Sequence, residues 1–241
     1  LFDVTGANRL IVSGCGLREG LFLRHYLARA GQSEVIGDIL LHSTRNMLLF
    51  YKGNEEHAYH VAALAEAMFD GLRELHRLDG RDRLLLRVAA LLHDIGITIS
   101  YYDHPRHSAY LVENARLFGL THREQMLAAV VAGWHEGPTV KYMRNRIYSE
   151  FLDDTDWQKA RKMALLLALA ESLDTTQLGL VSEVSAALTD KAASLTMRVG
   201  RQGASVELQE AEHNRKWFKK EFGIDLELHA IPTATLIATP L

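Results

Sequence analysis

Apolar positions recur at helical spacing through the middle of the chain. Between residues 54 and 78, His57, Val61, Leu64, Ala65, Met68, Leu72 and Leu75 fall on one face of a helix. A second helical run, Leu84 to Leu92, ends abruptly at His93-Asp94-Ile95-Gly96, where glycine suits a left-handed helix terminator. Two further helices are predicted over 107–118 and 121–134, the latter opened by a Thr121/Glu124 capping box. The run 156–178 is apolar nearly all round, which predicts a central helix. Beyond Leu180 the pattern shortens to alternation. Strands are expected at 181–188, 194–199, 205–208 and near 225–229, with a hairpin turn at Gly200–Gly203 and a basic amphipathic helix over 211–222. At the other end, Leu10–Ser13 looks like a strand, and a helix opens at Leu17. The expected fold is mainly α: a helical bundle over 34–180 and a small α+β appendage over 181–241, preceded by a separate piece over 1–33.

Composition narrows this picture only modestly. A chain of 241 residues with 48% hydrophobic content and 4 prolines can bury a sizeable helical core. A net charge of -3 gives no footprint for specific nucleic-acid binding. The single cysteine, Cys15, excludes an internal disulfide and fits a reducing, cytoplasmic setting. No apolar stretch has transmembrane length, so no membrane partner is expected.

Chemistry concentrates at the ends of the apolar helices. His57, the adjacent pair His93-Asp94, His107, His135 and Asp174 come in that order, each beside an apolar run. A carboxylate at Asp174, on a helix otherwise so apolar, would cost several kcal/mol if buried without compensation. A cation removes that cost, although pairing with Arg161 would too. The order His…His-Asp…His…His…Asp resembles the HD-domain superfamily of metal-dependent phosphohydrolases across about residues 50–180. Ser13 to Gly20 and Arg106 to Leu111 are similar to segments of the exopolyphosphatase/guanosine pentaphosphatase family, in which an HD-type helical domain follows an actin-like core.

These resemblances imply an HD-type helical bundle and one or two divalent ions, with manganese, iron, zinc, nickel and magnesium all compatible with imidazole and carboxylate donors. His57, His93, Asp94 and Asp174 are expected around the first ion, and Asp94, His107 and His135 around the second. A metal-activated hydroxide would then attack phosphorus in a nucleotide, alarmone or polyphosphate, with Asp94 bridging the ions and Glu136 either as general acid or as a partner that supports His135. His104, Arg106, Lys141 and Arg144 are candidates for phosphate contact, Arg146 following in the same stretch. One departure matters: many catalytic members carry a lysine after His-Asp-x-Gly, and here that position is Ile97. The alternative is therefore a non-catalytic module that binds polyphosphate or an alarmone and supports homodimerisation beside a separate catalytic core. The family likeness also implies that residues 1–33 are the remnant of an actin-like domain, leaving a strand edge free to self-associate.

Overall fold

The computed structural model describes residues 2–8, 16–29, 37–137, 146–189 and 192–232. The expected strand at 10–13, Cys15, Lys141 and Arg144 lie outside them. The chain divides into two units, Leu1–Ile39 and Leu40–Leu241. In the first, the described elements are α1 (Phe2–Thr5) and α2 (Leu17–Arg29).

The second unit begins within α3 (Ile39–Phe50) and continues through α4 (Glu55–Gly71), α5 (Arg73–His76) and α6 (Gly80–Leu92). A 3-10 turn (Ile95–Thr98) leads to α7 (His104–Glu113), α8 (His122–Gly133), α9 (Arg146–Phe151) and α10 (Asp154–Ser172). As its apolar composition requires, α10 is central: Met163 to Leu167 are fully buried, and the helix touches α4, α6 and α8. The single helix expected over 54–78 breaks at Leu72 into α4 and α5. The capping box on Thr121 and Glu124 is formed. No helix among the described residues is long and apolar enough to cross a membrane.

A three-stranded sheet closes the C-terminal part: β1 (Val181–Leu188) pairs antiparallel with β2 (Ala192–Val199), which pairs parallel with β3 (Asp225–Pro232). Strand β1 packs on α4 so closely that a Cβ on Gly71 would meet the Ala186 carbonyl oxygen at 2.4 Å. Two expectations are corrected here. Residues 205–208 are not a strand but the start of α11 (Ser205–His213), and the expected helix over 211–222 is instead α11 followed by α12 (Arg215–Phe222). The alternation Val206/Leu208 suggested a strand, yet burial falls on Ala204, Glu207 and Ala211, the helical period, because α11 packs on α10. Gly200–Gly203 is thus no hairpin turn. It leads into a helical crossover, the connection that a parallel β2–β3 pair requires.

Candidate metal centre

Five helix ends and one short turn meet in the second unit. Asn54 caps α4, its side-chain oxygen accepting from the His57 backbone N–H at 3.4 Å, which sets His57 in the first turn. Helix α6 stops at Leu92, leaving His93 as its C-cap and Asp94 at the head of the 3-10 turn. Gly96 does not terminate the helix in a left-handed conformation, as the sequence suggested. Its role is close approach: a Cβ there would meet the His104 carbonyl oxygen at 2.3 Å and the Ser108 nitrogen at 2.4 Å. The Gly96 N–H donates to Ser108 Oγ at 2.9 Å, clamping the first turn of α7 and its His104 against the pair His93-Asp94. His135 follows the end of α8, and Glu171 stands in the last turn of α10.

Each imidazole is oriented in the same sense. Nδ1 of His93, His104 and His135 faces the carbonyl oxygen three residues earlier, at 2.7, 3.0 and 2.6 Å. A carbonyl only accepts, so Nδ1 carries the proton and Nε2 is left to point inward. For His57 the same task falls to Asp174, whose Oδ2 accepts from Nδ1 at 2.8 Å. A structural histidine in the same protein behaves differently. His76 satisfies both nitrogens, with Nε2 on the Phe69 carbonyl at 2.7 Å and Nδ1 accepting from the Leu78 N–H at 2.9 Å.

The inward nitrogens surround two carboxylates. Glu171 Oε2 lies 3.1 Å from His57 Nε2 and 2.9 Å from His93 Nε2, and these three buried atoms have no hydrogen-bond partner among the described residues. Asp94 Oδ1 lies 3.1, 3.6 and 3.7 Å from Nε2 of His104, His93 and His135, and its Oδ2 lies 3.8 Å from His57 Nε2. The Nε2 atoms of His104 and His135 face one another at 3.1 Å, an approach that either a shared proton or a cation satisfies. Two ligand groups result, His57-His93-Asp94 and Asp94-His104-His135, with Asp94 common to both. An imidazole and carboxylate donor set of this kind, with orphaned buried atoms, fits borderline divalent ions.

Protons compete for the same positions. Burial, the largest influence on His57, disfavours its charge, but Asp174, Glu171 and Asp94 outweigh it and push its pKa up to about 10. Burial also opposes the charge of His93, which Asp94 and Glu171 nevertheless carry up to about 9. His135 goes the other way, held down to about 4 by burial and by His93. Burial works against ionising Asp94 and Glu171 too, yet the neighbouring imidazoles keep both well below the usual carboxylate range. Without an ion, His57 and His93 therefore carry a second proton at neutral pH, on the Nε2 that faces Glu171, and a divalent ion must displace it. Ion binding is expected to release protons and to strengthen as pH rises. Calorimetry in two buffers of different ionisation enthalpy checks this, and an enthalpy independent of buffer would contradict it.

The structure redistributes several candidate roles. His107, expected at the second ion, is half-buried on α7 and belongs to neither group; His104, expected to contact phosphate, is the α7 residue grouped with Asp94 and His135, because α7 begins at His104 rather than 107. Asp174 lies behind His57 rather than beside the inward nitrogens, its Oδ1 accepting from the Gly179 N–H at 2.9 Å. Glu171, one helical turn earlier, occupies the position expected of Asp174. Its signal was in the sequence: a carboxylate three residues before Asp174 on the same apolar helix. A cavity of about 410 Å3 opens over the group, bordered by Ile97, Tyr101 and Glu136 on one side and by Glu210, His213 and Asn214 on the other. Glu136 is exposed at this mouth, 3.8 Å from His104 Nε2. Arg106 is exposed, 3.8 Å from Asp103, and does not border the cavity. Arg146 begins α9.

Gly96→Ala is expected to push α7 outward and weaken the His104 side of the site while leaving His57, His93 and Glu171 in place. A titration that shows two ion-binding steps in the parent and one in the variant would bear this out. Two unaltered steps would count against it.

Residues 39–214 match the family model described as Ppx/GppA phosphatase, domain III. A guanosine-5'-triphosphate,3'-diphosphate pyrophosphatase of Aeromonas hydrophila is 31% identical over 132 residues, which is 54% of this chain and 26% of that protein. The protein of the same name from Aeromonas salmonicida is 30% identical over 132 residues, again 54% of this chain. The match thus spans about a quarter of the length of these relatives, 26% in each.

Proposed function

This chain belongs to the Ppx/GppA phosphatase family as its domain III, and from that membership we propose that the histidine–carboxylate centre is an HD-type, divalent-metal phosphohydrolase site. Its substrate class would be a phosphate ester or anhydride of a nucleotide or polyphosphate. One observation carries the proposal: four Nε2 atoms converge on Asp94 and Glu171, and three of the buried atoms there lack any hydrogen-bond partner among the described residues. His57, His93, Asp94 and Glu171 would hold one ion, and Asp94, His104 and His135 a second. Bound there, divalent ions supply charge to neutralise phosphate oxygens and to acidify water for attack on phosphorus.

The chain's own residues supply orientation and proton handling. Asp174 and the carbonyls of Ala90, Tyr101 and Ala132 fix each imidazole in the Nδ1–H tautomer. Glu136, exposed at the mouth, would pass a proton to the leaving group as it departs toward solvent. Lys141 and Arg144 remain proposed phosphate contacts from the segment after His135.

The non-catalytic alternative draws support from Ile97, an apolar side chain at the mouth, 39% exposed, where a cation would aid phosphate binding. Elemental analysis together with phosphate release from GTP, tripolyphosphate and p-nitrophenyl phosphate separates the two. Bound metal with turnover is expected. Bound metal with ligand binding and no turnover would favour the module, and absence of metal affinity would remove both ion-based roles.

A further inference from the structure

A second cavity, of about 650 Å3, is lined by no residue of the ion-binding groups and lies between the end of α8, one face of α10, and α9 and α12. Its walls follow from helical periodicity. Asp154, Trp157, Gln158 and Arg161 are spaced i, i+3, i+4 and i+7, so α10 presents all four on one face. Trp157 is half-buried, packed on the core and tilted 36° against Trp134 with ring centroids 5.6 Å apart. The remainder of its ring borders the cavity. Arg161 uses Nε for Glu221 at 3.2 Å, and its terminal nitrogens have no partner among the described residues. Lys220, exposed on α12, has no ion-pair partner among the described residues.

An aromatic platform pinned on one side, two cations within the same cavity and an acid nearby form a combination with a specific chemical complement. We propose that this cavity is a nucleotide-binding site, distinct from the histidine–carboxylate centre. The base stacks on Trp157, Asp154 accepts from a base amino group, and the phosphates meet Arg161 and Lys220. The volume falls in the range of about 300–1,000 Å3 usual for small-ligand pockets. Base–aromatic stacking is tolerant of base identity and is worth roughly 5- to 150-fold in affinity. Arginine adds a planar fork for phosphate oxygens and lysine a point charge. The site stands independently of the proposed hydrolysis, since none of its lining residues belongs to the two ion-binding groups.

Calorimetric titration of the 241-residue chain with ATP in excess EDTA tests the assignment, because chelation silences metal-bridged phosphate binding. Saturable binding is expected. It should weaken roughly 5- to 150-fold in Trp157→Leu, recover in Trp157→Phe, and fall also in Lys220→Glu, an exposed position where folding is not at issue. Asp94→Ala should bind ATP as the parent does. Tripolyphosphate, which lacks a base, should bind more weakly than ATP. No saturable heat, equal affinity for ATP and tripolyphosphate, or binding lost in Asp94→Ala but kept in Trp157→Leu and Lys220→Glu would each overturn the proposal.

Discussion

Asp94→Ala is expected to abolish stoichiometric divalent-ion binding and any phosphate release, leaving the far-ultraviolet helical signal unchanged. Asp94 is the one residue common to both ligand groups, with three imidazole Nε2 atoms facing its Oδ1 and a fourth its Oδ2. Mutating a residue that merely supports a metal ligand costs about 10–100-fold in affinity, so removing a shared ligand should exceed about 100-fold. The fold should survive because the core rests on the apolar faces of α4, α6, α8 and α10, while Asp94 sits in a turn at their ends. A linked readout is thermal stability. An ion at 100 times its dissociation constant stabilises the parent by about 2.7 kcal/mol, and this increment should vanish in the variant. Retained stoichiometric metal in Asp94→Ala would show that Asp94 does not join the two groups.

Glu171→Gln and Asp174→Asn are expected to differ in magnitude, Glu171→Gln being the more severe. Glu171 presents an unpartnered buried oxygen to His57 and His93 at 3.1 and 2.9 Å. An amide there loses the negative charge that a divalent ion needs, and more than about 100-fold of affinity should go. Asp174 instead receives the Nδ1 proton of His57 and stands on the far side of that ring. Its amide variant can still orient the imidazole through the side-chain oxygen, so a loss of about 10–100-fold, the range for a supporting partner, is expected. Ion titrations of both purified variants decide the order. If Asp174→Asn proves the more damaging, the direct ligand is Asp174 and the placement of Glu171 is mistaken.

The helical body was legible in the sequence because burial on one face writes a 3.6-residue period into the chain. The face of α4 follows from that rule, while the capping box at Thr121 and the all-round apolar α10 are legible from local composition; α8, buried from Gln125 to Gly133, presents no single face. The adjacent pair His93-Asp94 was legible for a related reason: two polar groups ending an apolar helix are conspicuous whatever surrounds them. Local pattern misled where tertiary packing set the period. Val206 and Leu208 alternate like a strand, but α11 is held as a helix by its contact with α10.

Which side chains converge was decided by the tertiary structure for a similar reason. His104 and His107 are three residues apart on one short helix, and Glu171 and Asp174 are three apart at the end of another. Such neighbours are interchangeable in composition and spacing. They differ only in which one the register of the element turns inward: Gly96 admits α7 so closely that His104 meets Asp94, and the last turn of α10 delivers Glu171 while Asp174 lies beyond the helix end. Local pattern therefore fixed the helical body and the kind of chemistry at its ends. The identity of the atoms that converge depended on helix phase and on close approach between segments distant in the chain, which no local pattern encodes.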